Sequence, residues 1–125
     1  MTRDVICARE NLDVDTLVEL VLNHRIGCVP IVDATGLPIG MITKQALVEH
    51  VLRAPGHALD VKHLMTPLAV TLDEHASVAR AAAMLATENI HHVPVVSENG
   101  QVVGVISSSD IVRWLAANDG VLPSP

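Results

Sequence analysis

A short segment near the C-terminus combines a hydroxyl and a carboxylate at a spacing that suits a phosphorylated sugar. Residues 104–110 read Gly-Val-Ile-Ser-Ser-Ser-Asp, which predicts a strand that turns into a helix at Ser107. The first amides of a helix lack intrahelical partners, so a phosphate could bind beside Ser107. Asp110 offers two acceptor oxygens, which suit the paired hydroxyls of a ribose. His91 and His92 begin the preceding strand and could donate hydrogen bonds to a phosphate.

The elements that must position these residues occur twice, at a constant offset of 64 residues. A gapless comparison of 1–48 with 65–112 gives 12 identities, and 13 of the other 36 pairs are apolar on apolar. The identical pairs include Met1 and Met65, Thr2 and Thr66, Ile26 and Ile90, Pro30 and Pro94, and Gly40 and Gly104. A fixed period of this size indicates a duplicated supersecondary unit.

Each copy is predicted to run strand, helix, strand, strand, helix. The predicted elements of the first copy are 5–7, 13–23, 28–32, 38–43 and 44–53. Those of the second copy, after a short strand, are 78–88, 92–96, 102–107 and 109–117. Asp13 and Ser77 hold equivalent positions before the first helix of each copy, and both residue types are good N-caps.

The composition limits the possible partners and the location. The net charge is −6 with only 8 Lys and Arg, which argues against a nucleic-acid surface. No apolar run approaches the roughly 20 residues that a membrane helix requires. Charged Arg3 and Asp4 interrupt any signal peptide, and Cys7 and Cys28 fit reduced thiols, so we expect a cytoplasmic protein.

The duplicated unit, with its Met-Thr entry, Ile-x-x-Val-Pro-Val strand and Gly-Val-Ile-Ser-x-x-Asp junction, resembles the cystathionine β-synthase (CBS) domain pair, or Bateman module. The resemblance runs from Met1 to about Ala117. It implies an α/β (α+β) fold of tandem β-α-β-β-α repeats packed by pseudo-two-fold symmetry. The expected organisation is repeat 1 at 1–53, a linker with a short helix at 54–64, repeat 2 at 65–117 and a disordered tail at 118–125.

The resemblance also implies a regulatory function. Proteins of this family bind adenine nucleotides or related adenosyl ligands in the clefts between repeats, and two pairs commonly join into a disk-like homodimer. We therefore expect an AMP-like regulatory ligand, with ADP, ATP or S-adenosylmethionine as alternatives, and no cofactor. The regulated partner would be a fused or separate effector domain, and neither nucleic acid nor a membrane is expected.

By the same resemblance, Ser107 and Asp110 would close one cleft whose base pocket comes from the first copy. That pocket would consist of Thr2, Ile6, Ile26 and Gly27, and His91 and Val105 would line the same cleft. The quasi-equivalent cleft would be lined by Thr43, Thr66, Val70 and Ile90, with Met41 beside Thr43. Ala46 stands there at the position of Asp110, so we expect one good adenosine site per chain and one degraded site.

Structural interpretations stay open for these residues. Asp110 and Ser107 could simply cap a helix, and Trp114 suits a core position and a dimer contact equally well. The His91-His92 pair invites a metal, but no H-x-x-x-H or C-x-x-C spacing occurs, so we predict no metal site. Cys28 aligns with His92 across the duplication and is the remote alternative.

We predict that the chain is not an enzyme. No nucleophile with a base, no pair of carboxylates and no metal centre can be recognised in the sequence. The alternative to a ligand sensor is a purely structural dimerisation module whose nucleotide sites are vestigial. Loss of nucleotide binding on replacement of Asp110 would distinguish the two hypotheses.

Overall fold

The structure, a computed structural model, has the mixed α/β architecture that the sequence predicts, with four helices and two sheets among the residues that it describes. It describes residues 5–53, 60–68 and 70–118. The chain divides into two compact units, Ile6–Ala69 and Val70–Pro125, and Val5 belongs to the second.

The first unit contains a four-stranded sheet in the order β1-β2-β3-β4. Its elements are β1 (Ala8–Arg9), α1 (Val14–His24), β2 (Cys28–Val32), β3 (Pro38–Thr43), α2 (Lys44–Arg53), a 3-10 turn (Val61–His63) and β4 (Thr66–Pro67). The predicted N-cap of α1 is confirmed, because Asp13 Oδ2 accepts a hydrogen bond from the Thr16 amide at 3.0 Å. Leu17, Val29 and Ile31 are completely buried at the centre of its core.

The second unit repeats this plan with a three-stranded sheet in the order β5-β6-β7. Its elements are β5 (Leu72–Asp73), α3 (Val78–Thr87), β6 (His92–Val96), β7 (Val102–Ser107) and α4 (Ser108–Ala117). The Ser77 hydroxyl caps α3 by accepting from the Arg80 amide at 3.0 Å, as predicted. Val93, Leu85 and Ile111 belong to its core.

The first strand lies later than predicted. The sequence indicates a strand at 5–7, whereas the structure places β1 at Ala8–Arg9, paired in parallel with Ile31 and Val32. Cys7 would pair next with Pro30, which has no amide hydrogen to donate to the ladder. The pairing of β5 with Val95 and Val96 likewise stops before Pro94.

The boundaries of the compact units differ from those of the sequence repeats. β4 (Thr66–Pro67) follows Met65, where the second sequence repeat begins, yet it pairs with Met41 and Gly40 of β3 in the first unit. The 3-10 turn supplies the short helix expected in the linker, and its Val61 is completely buried. Linker residues 54–59 and tail residues 119–125 lie outside the described residues.

Candidate functional site

The junction between β7 and α4 is a complete capping box. The Ser107 amide donates to Oδ2 of Asp110 at 2.7 Å, and the Asp110 amide donates to the Ser107 hydroxyl oxygen at 3.1 Å. These bonds satisfy two amides that the start of the helix leaves without intrahelical partners. Ser107 is therefore the N-cap, and α4 begins one residue earlier than predicted, at Ser108.

Asp110 also receives a charged partner from the next turn of α4. Arg113 Nη2 donates to Oδ1 of Asp110 at 2.5 Å, so both carboxylate oxygens accept hydrogen bonds. Partial burial raises the pKa of Asp110, but the bonds from Ser107 and Arg113 outweigh it and hold that pKa below its usual range. The carboxylate is therefore ionised at neutral pH and keeps a defined orientation.

Two histidines lie beside this junction. The His91 carbonyl accepts from the Ser108 amide at 2.9 Å, and His92 is paired with Ser107 across the β6–β7 ladder. Burial, together with the neighbouring His91, lowers the pKa of His92, although Asp110 opposes the shift. His92 is therefore neutral at pH 7 and can donate one ring hydrogen.

The equivalent junction of the first unit has the same backbone but different side chains. The Gly27 carbonyl accepts from the Lys44 amide at 2.9 Å, which reproduces the bond between His91 and Ser108. Thr43 Oγ1 accepts from the Ala46 amide at 3.1 Å, so the cap is kept. Ala46 supplies no carboxylate, and the reciprocal bond of the capping box is therefore missing.

The structure brings four of the predicted site residues together in the second unit. These are His91, His92, Ser107 and Asp110. Val105 is buried in β7 of the same unit, and Val70 and Ile90 pack against its core. Ile6, Ile26, Gly27, Thr43 and Thr66 belong to the first unit, and Thr2 lies outside the described residues.

Four observations bear on other functional classes. No group of three histidines, cysteines or acids within 5–53, 60–68 and 70–118 could hold a metal ion. Cys28 and His92, the remote metal alternative, lie in different units. Within the same ranges, no helix has the length and hydropathy to cross a membrane. Trp114 is half-buried in α4, so neither of its two interpretations is excluded.

Arg113 is a site residue that the sequence interpretation missed. A signal was present, because Asp and Arg three residues apart on a helix are close enough to pair. The Ser-x-x-Asp spacing from 107 to 110 is likewise a capping-box signature. The sequence interpretation treats Asp110 as a ligand acceptor or a first-turn acid and assigns it no side-chain partner.

Known structures share the architecture of this chain. The CBS domain pair of protein MJ0100, solved in complex with 5′-methylthioadenosine and S-adenosyl-L-methionine, superposes with a TM-score of 0.83 at 27% identity. The match covers 94% of this chain and 93% of that one. CBS-domain protein ATU1752 from Agrobacterium tumefaciens gives a TM-score of 0.75 at 28% identity over 90% of both chains.

Relatives detected by sequence are longer proteins. L-aspartate semialdehyde sulfurtransferase from Methanocaldococcus jannaschii is 28% identical over 90% of this chain, which spans 22% of that protein. The human 5′-AMP-activated protein kinase subunit gamma-3 is 24% identical over 90% of the chain, which spans 25% of it. Some relatives thus carry enzyme names, and this chain spans about a quarter of the length of these two.

The profile of the CBS domain matches the sequence twice. The two matches cover residues 1–53 and 61–117, which together make up most of the chain. They confirm the resemblance that the duplicated motifs predict, and the superposition with MJ0100 confirms the fold class. The chain therefore belongs to the CBS domain family, as a tandem pair of CBS domains.

Proposed function

We propose that the chain is a regulatory module that binds an adenosine-containing nucleotide of the AMP type in a cleft between its two repeats. The observation that carries the proposal is the difference between the two strand-to-helix junctions. Asp110 completes the second junction, whereas Ala46 leaves the first without a carboxylate. The adenosyl ligands of the MJ0100 pair and the name of the 5′-AMP-activated kinase subunit support an adenosine ligand.

In the proposed complex, Asp110 accepts hydrogen bonds from both ribose hydroxyls. A carboxylate has about four lone-pair directions, of which Ser107 and Arg113 use two. The Ser107 hydroxyl accepts from the Asp110 amide and can turn its own hydrogen toward a phosphate. The exposed His91, whose carbonyl accepts from the Ser108 amide, could offer a further ring donor to the phosphate.

The adenine base would lie against residues of the first repeat. We assign this pocket to Thr2, Ile6, Ile26 and Gly27, with Val105 of the second repeat beside it. Ile6 and Ile26 are only half-buried within the structure, so apolar side-chain surface is available to cover a base. Gly27 has no side chain, which allows a flat ring to approach the backbone closely.

The second cleft, with Thr43, Thr66, Val70 and Ile90, is proposed to be degraded. Without a carboxylate at Ala46, the ribose hydroxyls would lose their acceptor. Titration calorimetry with AMP should therefore give one strong site per chain. Two sites of equal affinity would contradict the assignment of Asp110.

Replacement of Asp110 tests the proposal directly. AMP at 100 times its dissociation constant should stabilise the native protein by about 2.7 kcal/mol and raise its melting temperature by several degrees. Asp110→Ala should abolish that ligand-dependent rise. Asp13→Ala is the matched control, because it removes a helix cap from the first unit and should keep the full rise. A full rise in Asp110→Ala would refute the proposed site.

Nucleotide binding would regulate the activity of another domain or protein. We infer that the module performs no catalysis and that nucleotide binding changes the activity of a fused or separate effector domain. Such coupling requires that the ligand bind two states of the module with different affinity. Both cysteines are free, Cys28 in the core and Cys7 half-buried, which fits the cytoplasm as the proposed location.

A second candidate function, a structural dimerisation module with vestigial sites, is favoured by an apolar groove on the first unit. The groove lies between α1 and α2 and has a volume of about 240 Å³. Its lining residues are Val18, Val21, Leu22, Lys44, Leu47, Val48, Val51 and Leu52. Leu22 and Leu52 are 65% and 77% exposed, which is costly for leucine in water.

We propose a second copy of this chain as the occupant of that groove, which gives a homodimer. Leu52→Glu places a charge at the groove and should convert the dimer into a monomer in sedimentation experiments. Asn11→Glu adds the same charge at an exposed turn outside the groove and should leave the dimer intact. A dimer that shows no thermal shift with any adenine ligand would favour the purely structural alternative.

A further inference from the structure

An ion pair between Arg113 and Asp110 gives the second junction a charged feature that the first junction lacks at the equivalent positions. Arg113 Nη2 lies 2.5 Å from Oδ1 of Asp110. The arginine side chain is 70% exposed, whereas the aspartate side chain is only 17% exposed. The guanidinium is therefore largely in solvent, whereas the carboxylate that it contacts is mostly shielded from it.

The pair changes the charge that a bound ligand would meet. Asp110 alone contributes one negative charge, and Arg113 cancels it. His92 beside them is neutral at pH 7, because burial and His91 hold its pKa below the usual range. The ion pair therefore leaves the junction without a net negative charge from Asp110.

The first unit provides a natural comparison. Glu49 occupies the position equivalent to Arg113, and Ala46 the position equivalent to Asp110. The first junction therefore has an exposed acid one turn into the helix, and the position equivalent to Asp110 carries no charge. The duplication has kept the backbone and the caps while reversing the sign of this one side chain.

We propose that Arg113 is the specificity-determining residue of the adenosine site and makes it prefer an anionic 5′ substituent, such as a phosphate monoester, over a cationic sulfonium. The inference rests on the proposed function, in which Asp110 holds the ribose. A ribose is shorter than the Debye length, about 8 Å at physiological salt, so the 5′ substituent senses the charge at Asp110. An unpaired carboxylate would repel phosphate and attract a sulfonium.

The size of the effect follows from Coulomb's law. Arg113 would lie about one ribose away from the bound phosphate. Loss of its positive charge should weaken phosphate binding roughly tenfold at a dielectric constant suited to a protein surface. A neutral 5′ substituent should be almost indifferent to the same change. The charge of the ligand, and not its adenosine, is therefore the variable that reports on Arg113.

Three adenosine ligands of different charge test the proposal by calorimetry: AMP, 5′-methylthioadenosine and S-adenosylmethionine. Wild-type protein should prefer AMP. Arg113→Ala should weaken the binding of AMP roughly tenfold and change the affinity for methylthioadenosine by no more than about threefold. Its affinity for S-adenosylmethionine should stay the same or increase. Arg113→Glu, which supplies the residue type of position 49, should shift the preference further toward the sulfonium.

Two matched variants isolate the charge at this position. Arg113→Lys keeps the charge and should keep the preference for AMP. Arg80→Ala removes an exposed arginine from α3 of the same unit and should change no affinity ratio. Circular dichroism of each variant checks that the fold is intact, as expected for side chains this exposed.

The outcomes that overturn the inference are distinct from failure of the proposed function. If Arg113→Ala weakens all three ligands equally, Arg113 only supports Asp110, and the specificity role is refuted. Unchanged ratios, or a wild-type preference for the sulfonium, refute it as well. If the wild-type protein binds none of the three ligands, the proposed function itself fails, and the specificity role fails with it.

Discussion

Ser107 and Asp110 exchange two hydrogen bonds across the first turn of α4, and each amide donates to the other residue's side chain. Their counterparts in the first repeat, Thr43 and Ala46, keep only one of these bonds. The residues proposed to bind the ligand therefore also fix the start of their own helix. A preformed carboxylate of this kind loses little conformational freedom when a ribose binds.

The capping box predicts unequal effects of substitutions at the two junctions. Asp110→Ala removes the acceptor of the Ser107 amide and the partner of Arg113, so we expect the free energy of unfolding to fall by about 1–2 kcal/mol. Thr43→Ala removes a single cap bond and should cost about 1 kcal/mol. Urea denaturation measures both values. A smaller loss for Asp110→Ala than for Thr43→Ala would contradict the role assigned to the reciprocal bond.

The pKa of Asp110 predicts how its contribution varies with pH. The folded-state pKa lies below the unfolded value of about 3.9, so folding is favoured by the ionised form. The contribution is fully present above the unfolded pKa and is lost as the pH falls through the folded pKa. The stability difference between wild type and Asp110→Asn should therefore be largest near neutral pH and shrink in acid.

The difference in stability between wild type and Asp110→Asn excludes the contributions of other acids with lowered pKa values, because these acids contribute equally to both proteins. The pKa values of Asp13 and Asp33 are lowered by hydrogen bonds from Thr16 and Thr35, and both acids are present in each protein. Denaturant titrations at about pH 7 and about pH 3 give the two differences. A difference that does not change with pH would show that the charge of Asp110 contributes nothing to folding.

Much of the fold could be predicted because the duplication shows each element twice. The bounds of β2, β3, α2, β6 and β7 agree with the prediction, since turn residues and apolar periodicity mark them in both copies. The first strand could not be placed, because its position depends on which residues of β2 can donate to it. β4 was missed because two residues carry no periodicity and pair only through tertiary contact with β3.

The residue types of the candidate site could be predicted better than the contacts between them. Ser107 and Asp110 could be identified because a strand-to-helix junction places them on the first turn of a helix. Arg113 carries a weaker signal, because its spacing of three residues from Asp110 allows an ion pair on a helix but does not show that the pair forms. The change from Asp110 to Ala46 between copies, in contrast, could be read directly.

Burial predicts that the two cysteines differ in reactivity. Desolvation raises the pKa of the Cys28 thiol to about 12, and it raises that of the half-buried Cys7 as well. At about pH 8 only roughly one Cys28 in ten thousand would be a thiolate, and the core shields it from reagent. Iodoacetamide followed by peptide mass spectrometry should therefore show Cys7 modified first.

Unfolding provides the control for this prediction. In concentrated urea both thiols should react at similar rates, because both then have the ordinary pKa of an exposed cysteine. Modification of Cys28 at the rate of Cys7 under native conditions would mean that β2 opens on the timescale of the experiment. The same measurement in a Cys7→Ser variant would identify any reaction at Cys28 unambiguously.

Close approach of two strands at Gly40 predicts the last substitution. A Cβ atom at this position would lie 2.8 Å from the Thr66 carbonyl oxygen of β4 and 2.8 Å from the Met65 sulfur. The sulfur ends a flexible side chain and can move, whereas the carbonyl belongs to the strand paired with β3. Gly40→Ala should therefore push β4 away and lower the free energy of unfolding by about 1–3 kcal/mol.

Hydrogen exchange and a second variant identify the obstacle. The Leu68 amide donates to the Ile39 carbonyl at 3.3 Å, and its exchange should accelerate in Gly40→Ala, because β4 is displaced from β3. Adding Met65→Ala should not restore stability if the Thr66 carbonyl is the obstacle. Restoration would assign the clash to the sulfur and would mean that β3 and β4 can accommodate a methyl group, since only the side chain had to yield.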